Sequence, residues 1–394
     1  MIRKEEDDLI KLIKKNANNG KVAKAKLQTD DRVLARITDG IYRQPASALR
    51  ELISNAYDAD ATKVVIHTDA PRFNKITVRD DGHGMDVEAL ARLIYHIGGS
   101  AKRLDEGAKF GIGNKNDPSL SPLGRRLIGK IGIGLFSVAQ LTRHFQIITK
   151  VKNTEYRLIA EVILQTYSED GAVKSGKKSG NVKIETGTVE ILSVPAADKA
   201  SHGTEIILLD LRPQAKDLLK SKEIWTLASQ KNDKNEKPIG KEPIFHIGRV
   251  DFVQDSEIKV PEKLPWAEDD KPEGKFKKLY QAIIDEIGSA EQNPRLETTL
   301  DNYLRTLWTL SLSAPVDYID KHPFDITGGD EIDIYEFSDK STGQAKPIDL
   351  KKNETVRKRF SFKSPERGNK MPFALIIDDI ELFRPIRFTN LPQT

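Results

Sequence analysis

Four short segments carry residue types able to do chemistry. The first reads Ala48-Leu49-Arg50-Glu51-Leu52-Ile53-Ser54-Asn55-Ala56-Tyr57-Asp58-Ala59-Asp60. At the helical period, Glu51, Asn55 and Asp58 fall within about 60° of one another, and Leu49, Leu52, Ile53 and Ala56 take the opposite face. Such a helix buries one side and presents an acid, an amide and a second acid on the other. An acid there can position and deprotonate a water, and an amide oxygen can ligate a hard cation such as Mg²⁺. The plainer alternative is the solvated face of an amphipathic helix.

The second segment is Val78-Arg79-Asp80-Asp81-Gly82-His83-Gly84-Met85. A strand ends in an acid, and glycines follow at alternate positions. Asp80 can accept a hydrogen bond from an exocyclic amine such as that of adenine, and Gly82 and Gly84 let backbone approach a flat ligand. The competing reading is an ordinary Asp-Gly turn. The third segment runs from Leu127 to Ser137 and contains Gly129, Lys130, Gly132 and Gly134. A G-x-x-G-x-G run that opens a helix offers backbone N–H groups and a positive dipole end to phosphate. No parallel βαβ unit surrounds it, which separates it from a dinucleotide fingerprint, and no G-x-x-x-x-G-K-[ST] loop is present. The fourth is Ser201-His202-Gly203-Thr204, ahead of a strand. Its threonine hydroxyl can reach a base through water, or the segment is a hairpin turn.

The elements that must position these groups follow from periodicity. Helices are expected over 45–59, 86–96 and 134–141, and strands over 63–68, 75–80, 145–151, 156–164, 188–194 and 205–211. Short links between neighbouring strands give a mixed, mainly antiparallel sheet with helices on one face. The polar stretch 98–129 is too long for a passive connection and reads as a lid. Arg125 and Arg126 within it are lid anchors or solvated side chains. Residues 1–30 read as a polar arm or weak helix, and 212–275 as a charged linker with long loops. A second, smaller α/β unit is expected over 276–394, with helices at 276–287 and 296–312 and strands near 331–336 and 373–383. The chain stops soon after a strand, as a fragment or compact variant of a longer protein would.

Composition narrows the class. Among 394 residues there is no cysteine, so disulfides and thiolate chemistry are excluded. No apolar run long enough to span a membrane appears and the start lacks a secretory core, so a cytoplasmic location is expected. Sixty-three basic residues against fifty-nine acidic ones leave a net charge of +4, too little to demand nucleic acid on bulk charge. One local patch stands apart: Lys351, Lys352 and the run Arg357-Lys358-Arg359-Phe360-Ser361-Phe362-Lys363 interleave cations with aromatics. It suits nucleic-acid phosphates and bases, a lysine acting on phosphate, or a solvated hairpin.

Taken in order, an acid-amide helix, Asp-x-Gly-x-Gly, a long loop, a glycine-rich helix start and a late Gly-Thr strand resemble the GHKL superfamily of Bergerat-fold ATPases. That superfamily includes gyrase B, histidine kinases, MutL, MORC proteins and the ninety-kilodalton heat-shock chaperones. In wording, Leu49–Ala56, Gly82–Met85, Leu127–Ser137 and the lid start Ile97-Gly98-Gly99-Ser100-Ala101-Lys102 are most similar to the chaperones. The resemblance covers about 31–211. It implies an α+β Bergerat-fold sandwich, followed by a transducer-like α/β domain that supplies a basic residue to the γ-phosphate.

The resemblance further implies ATP and Mg²⁺ as cofactors. Glu51 would be general base and Asn55 the metal ligand, with Asp58 supporting the metal site. Asp80, Gly82, Gly84, Met85 and Thr204 would surround the base. Gly129, Lys130, Gly132 and Gly134 would line the phosphates, with Lys102 a further contact. ATP-driven dimerisation and a clamp on protein clients would follow. The alternatives are a MutL- or MORC-like clamp in DNA repair or antiphage defence, and an ATP sensor that does not hydrolyse. A histidine kinase is disfavoured, because no phosphoacceptor helix precedes the domain.

Overall fold

The computed structural model describes residues 2–17, 19–30, 44–96, 117, 119–129, 137–164, 183–220, 247, 264–289, 300–329, 334–337, 345–362 and 371–385. In chain order the helices are α1 (Ile2–Ala17), α2 (Pro45–Asp58), α3 (Val87–His96), α4 (Pro213–Leu219), α5 (Pro272–Ser289), α6 (Asn302–Ser313) and α7 (Val356–Arg359). The strands are β1 (Ala23–Asp30), β2 (Lys63–His67), β3 (Ile76–Asp80), β4 (His144–Lys150), β5 (Tyr156–Leu164), β6 (Lys183–Pro195), β7 (Gly203–Leu209), β8 (Tyr335–Glu336), β9 (Lys346–Pro347), β10 (Ala374–Ile377) and β11 (Ile380–Glu381).

Among the described residues, nine strands form one sheet in the order β1-β6-β5-β4-β7-β3-β2-β10-β11. Every pairing is antiparallel except β10 with β2. The fold is therefore α+β with a large, mainly antiparallel sheet. Strand alternation decides which side is covered: Val64, Ile66, Ile76, Val78, Phe145, Ile147, Leu158, Ala160 and Val162 are buried. The residues between them are mostly half-buried or exposed, the signature of a sheet packed on one face. Helix α2 starts at Pro45, whose fixed φ suits the first helical position even though Gln44 gives no side-chain cap. Its apolar stripe of Leu49, Leu52, Ile53 and Ala56 enters the core, and Glu51 and Asn55 remain outside it.

Two segments differ from expectation. Residues 1–30, expected as a polar arm, are packed. Leu9 and Ile13 of α1 and Ala23, Ala25 and Leu27 of β1 are buried, and β1 pairs with β6 along its length. Alanine and lysine have low strand propensity, so pairing overrides the local preference that hid β1. Within 212–275, expected as linker, Pro213–Leu219 is helical and buries Ala215 and Leu219. The expected helix at 134–141 is described only from Ser137, where one 3-10 turn covers Val138–Gln140.

The C-terminal region enters the same sheet. Strand β10 lies parallel to β2, with Ala374 opposite Lys63 and Ile377 opposite Ile66. The β10–β11 turn is made by Asp378 and Asp379, both at positive φ (46° and 63°), a conformation aspartate tolerates. The Asp378 carboxylate accepts from Thr68 N at 2.8 Å, Thr68 Oγ1 at 2.5 Å and Tyr303 OH at 2.7 Å. Asp379 accepts from Lys275 Nζ at 2.6 Å. Helices α5 and α6 thus hold the hairpin against the end of β2. Leu375, fully buried in β10, joins the common core. We predict that Leu375→Ala costs about 2–5 kcal/mol, measured by urea unfolding, and that one transition reports both the 31–211 region and the C-terminal segment.

Candidate functional site

Three of the four chemical segments converge between α2 and the ends of β3, β4 and β7. Asp80 closes β3 and is half-buried. Its Oδ1 accepts from Gly82 N at 2.8 Å and Thr204 N at 3.2 Å. Burial pushes the carboxyl up to about 6, against the lowering effect of those two amide donors. Thr204 Oγ1 lies 3.1 Å from Thr149 Oγ1, which also accepts from Met85 N at 2.8 Å. Asp80, Thr149 and Thr204, on adjacent strands, therefore form one polar cluster that the backbone N–H of Met85 joins from the loop after β3. His202 Nδ1 donates to Gly82 O at 2.8 Å, and His83 Nδ1 to Ala59 O at 2.8 Å.

Sequence reasoning missed Thr149. A signal existed, because Phe145, Ile147 and Thr149 share the inward register of β4, and a fully buried hydroxyl in that row needs a partner. Gly84 has φ +71°, and a Cβ there would lie 2.0 Å from Lys150 O. Two backbones touch at that point, so glycine is required there.

On α2, Glu51 is largely covered, with 14% of its side chain exposed, and it pairs with Arg50 Nη2 at 3.3 Å. Asn55 is exposed. Asp58 is 9% exposed and faces the chain at 128–129, not solvent. Its carboxylate accepts from Ile128 N at 2.9 Å and Gly129 N at 2.8 Å. Burial raises the Asp58 pKa, while those two donors and the Arg125 charge pull it back. The Gly129 amide is thus engaged by Asp58 in this structure. A Cβ on Gly129 would meet Asp58 Oδ2 at 2.6 Å and lie 3.9 Å from Asn55 Oδ1, so the glycine-rich run begins directly beside the amide of α2. Lys130, Gly132 and Gly134, like Lys102, lie outside the described residues.

The donor set bears on Mg²⁺ binding. No group of three or more metal-competent side chains occurs among the described residues. One exposed amide with a carboxylate a turn away suits a hard cation whose remaining ligands are phosphate oxygens and water. It does not suit a cation caged by protein alone.

Comparison with known proteins places this arrangement. Residues 42–204 match the family described as histidine kinase-, DNA gyrase B-, and HSP90-like ATPase. The MutL mismatch-repair protein of Phenylobacterium zucineum is 27% identical over 251 residues, 63% of this chain and 34% of that protein. MutL of Bradyrhizobium sp. strain ORS 278 is 42% identical over 68 residues, 17% of this chain and 11% of its own length. That of Halobacterium salinarum is 36% identical over 85 residues, or 21% and 13%. A crystal structure of the N-terminal domain of a DNA repair protein overlaps at a TM-score of 0.24 and 14% identity, covering 45% of this chain and 39% of that one. That score is too low to argue from.

Residues 42–204 thus match the GHKL ATPase superfamily, and MutL proteins are among the chain's relatives. It spans between 11% and 34% of the length of the three curated relatives just described, counting 13% for the third. Those three are mismatch-repair proteins, so the chaperone-like wording of the motifs does not single out the chaperone branch.

The raised Asp80 carboxyl has a measurable consequence. The native state holds that proton more tightly than the unfolded chain does. The stability it contributes is therefore present at low pH and lost as pH rises from about 4 to about 6. We predict a carboxyl titration near 6 by ¹³C NMR, and loss of that segment of the stability–pH curve in Asp80→Asn.

Proposed function

We propose that this chain binds Mg²⁺-ATP between α2 and the β3–β4–β7 cluster and hydrolyses it slowly to ADP and phosphate. The observation that carries the proposal is co-location. A half-buried acid with two threonine hydroxyls, suited to an adenine, is joined through Gly82 and His83 to the end of a helix whose acid-amide face abuts the start of a glycine-rich run.

In this reading Asp80 accepts from the adenine amine, and Thr204 and Thr149 complete the base-side hydrogen bonds. Gly82, Gly84 and Met85 form the floor. Asn55 offers the protein ligand to Mg²⁺, which when bound supplies charge neutralisation at the phosphates. Glu51, partly desolvated and next to that amide, orients the attacking water and takes its proton. Asp58 acts by fixing Ile128 and Gly129. Lys130, Gly132 and Gly134 remain proposed phosphate contacts, with 98–129 a proposed lid and 276–394 a proposed transducer.

Glu51→Gln should lower phosphate release by roughly 100-fold or more, with Mg²⁺-ATP binding by calorimetry within a few-fold of wild type. Unchanged turnover would return the reading to an ATP sensor whose occupancy alone is the signal.

For the output of the cycle, the MutL relatives favour an ATP-gated clamp linked to DNA over a clamp on protein clients. Nucleotide-driven homodimerisation belongs to this proposal. The described part of the basic-aromatic patch supports the DNA link. Phe324 and Phe362 have ring centroids 4.8 Å apart, and Phe360 stacks on Phe362 at 5.5 Å. Lys351, Lys352, Lys358 and Phe362 are exposed beside them. Part of the charge is spent locally, because Arg357 pairs with Asp325 at 2.8 Å and Arg359 with Glu354 at 3.6 Å. Lys363 lies outside the described residues. No helix among the described residues is long and apolar enough to cross a membrane.

A salt titration with single-stranded oligonucleotide tests the patch. Lys358→Ala should reduce the salt slope by about 0.7, and Phe362→Ala should weaken binding by about 1–3 kcal/mol. Binding indifferent to both substitutions would place any DNA contact elsewhere.

A further inference from the structure

Arg125 is 6% exposed, and among the described residues its guanidinium is taken by backbone carbonyls and not by a carboxylate. Nη1 donates to Tyr57 O at 3.0 Å and Ala61 O at 2.7 Å, and Nη2 donates to Pro372 O at 3.2 Å. The guanidinium carbon sits 4.3 Å from the Tyr57 ring centroid and 5.7 Å from that of Phe373. The two rings meet edge-on at 5.3 Å. One side chain thereby joins the C-terminal end of α2, the turn 119–129 that carries it, and the residues leading into β10. Burying a cation is costly unless its donors are met, and here they are met by segments widely separated in the chain.

The surrounding bonds show what this junction holds in place. Ser121 N donates to Arg125 O at 2.7 Å, Arg125 N to Ser121 Oγ at 2.8 Å, and Leu127 N to Ser119 O at 3.0 Å. Asp60 accepts from Ser121 Oγ and, at 3.0 Å, from Leu123 N. The turn is therefore internally closed and seated on the end of α2. Its last two residues, Ile128 and Gly129, are those caught by Asp58 beside Asn55. Among the described residues, the side-chain bonds of Asp80, Thr149 and Thr204 run to one another, to Gly82, Met85 and Gly203, and not to this junction; the link between the two is His83, whose N and Nδ1 donate to Ala59 O.

We infer that Arg125 is a positioning residue. It sets where the chain at Ile128–Gly129 lies relative to Glu51 and Asn55, and it ties that placement to β10. The inference rests on the nucleotide reading above and adds an asymmetry to it. The phosphate side of the site depends on Arg125, and the base side does not. Lysine keeps the charge but lacks the planar fork that reaches three carbonyls at once.

The test is calorimetry on the full chain with two ligands, Mg²⁺-ATP and adenosine, for wild type, Arg125→Lys and Phe373→Leu. In Arg125→Lys, Mg²⁺-ATP should bind at least tenfold more weakly while adenosine stays within twofold. In Phe373→Leu, which changes no residue of α2 or of the turn and removes only the ring that meets Tyr57 and Arg125 from the C-terminal side, the ratio of the two affinities should fall threefold or more. Parallel weakening of both ligands, or no change in either variant, overturns the inference. Should Arg125→Lys fail to fold, Phe373→Leu decides alone. A wild type that binds neither ligand overturns the nucleotide reading itself. One that binds both, with the ratio unmoved in the variants, overturns only the role given to Arg125. Amide exchange at Ala374–Ile377 gives a second readout. Slowing by Mg²⁺-ATP in wild type and not in Phe373→Leu supports the tie to β10, and no slowing in wild type removes it.

Discussion

The arrangement depends on how the C-terminal end of α2 accommodates two acids. A helix C-terminus is the negative end of the peptide dipoles, where carboxylates are disfavoured. Asp58 is the last residue of α2 and Asp60 follows two residues later, and both are buried. Left unpaired, either would be expelled to solvent or protonated. The turn 119–129 supplies what they need: two amides to Asp58, an amide and a hydroxyl to Asp60, and a cation on the carbonyls of Tyr57 and Ala61. The helix end and the turn are therefore each other's condition. Because Asn55 and Glu51 sit about one and two turns back on the same helix, their position relative to Gly129 follows from that seating.

The sheet imposes the second constraint. Strand β3, whose end carries Asp80, lies between β7 and β2, and β2 is covered in turn by β10. The cluster of Asp80, Thr149 and Thr204 is thus assembled across interior strands, where register fixes each side chain. The edges of the sheet fall at β1 and β11, well away from Asp80. Gly203, at φ +121°, lets β7 begin within 2.1 Å, measured from its notional Cβ, of Asp80 O. That closeness brings Thr204 N to the carboxylate.

Much of this was legible in the sequence where local pattern and tertiary role agree. The face of α2, the strand before Asp80 and the strand ending in Leu164 follow directly from apolar periodicity, and the structure keeps them within a residue or so. Illegible features share one cause, dependence on a distant partner. β1 is a strand because β6 pairs with it. β10 lies beside β2 through a parallel pairing between residues more than 300 positions apart. Thr149 matters because Thr204 reaches it from β7 and Met85 from the loop after β3. Arg125 could be read either as an anchor or as a solvated side chain, since nothing local distinguishes a buried arginine from an exposed one. Asp58 illustrates the converse. Its place on the helix face was clear, but its partners proved to be Ile128 and Gly129.

The parallel strand β10 bears on how a nucleotide signal could travel. In a chain whose later segment hung from a flexible linker, changes at the site would reach it only through new contacts. Here one strand, β2, separates the strand of Asp80 from the outermost hairpin, and the hairpin turn is fixed by Thr68, Tyr303 and Lys275. Close-packed interiors do not deform continuously, and they move between discrete arrangements. A shift of the turn 119–129 against α2 must therefore be absorbed at Arg125 or passed to Pro372 and Phe373. The rings of Tyr57 and Phe373 touch each other and both lie against the guanidinium, so α2, the turn and the residue before β10 meet at one point.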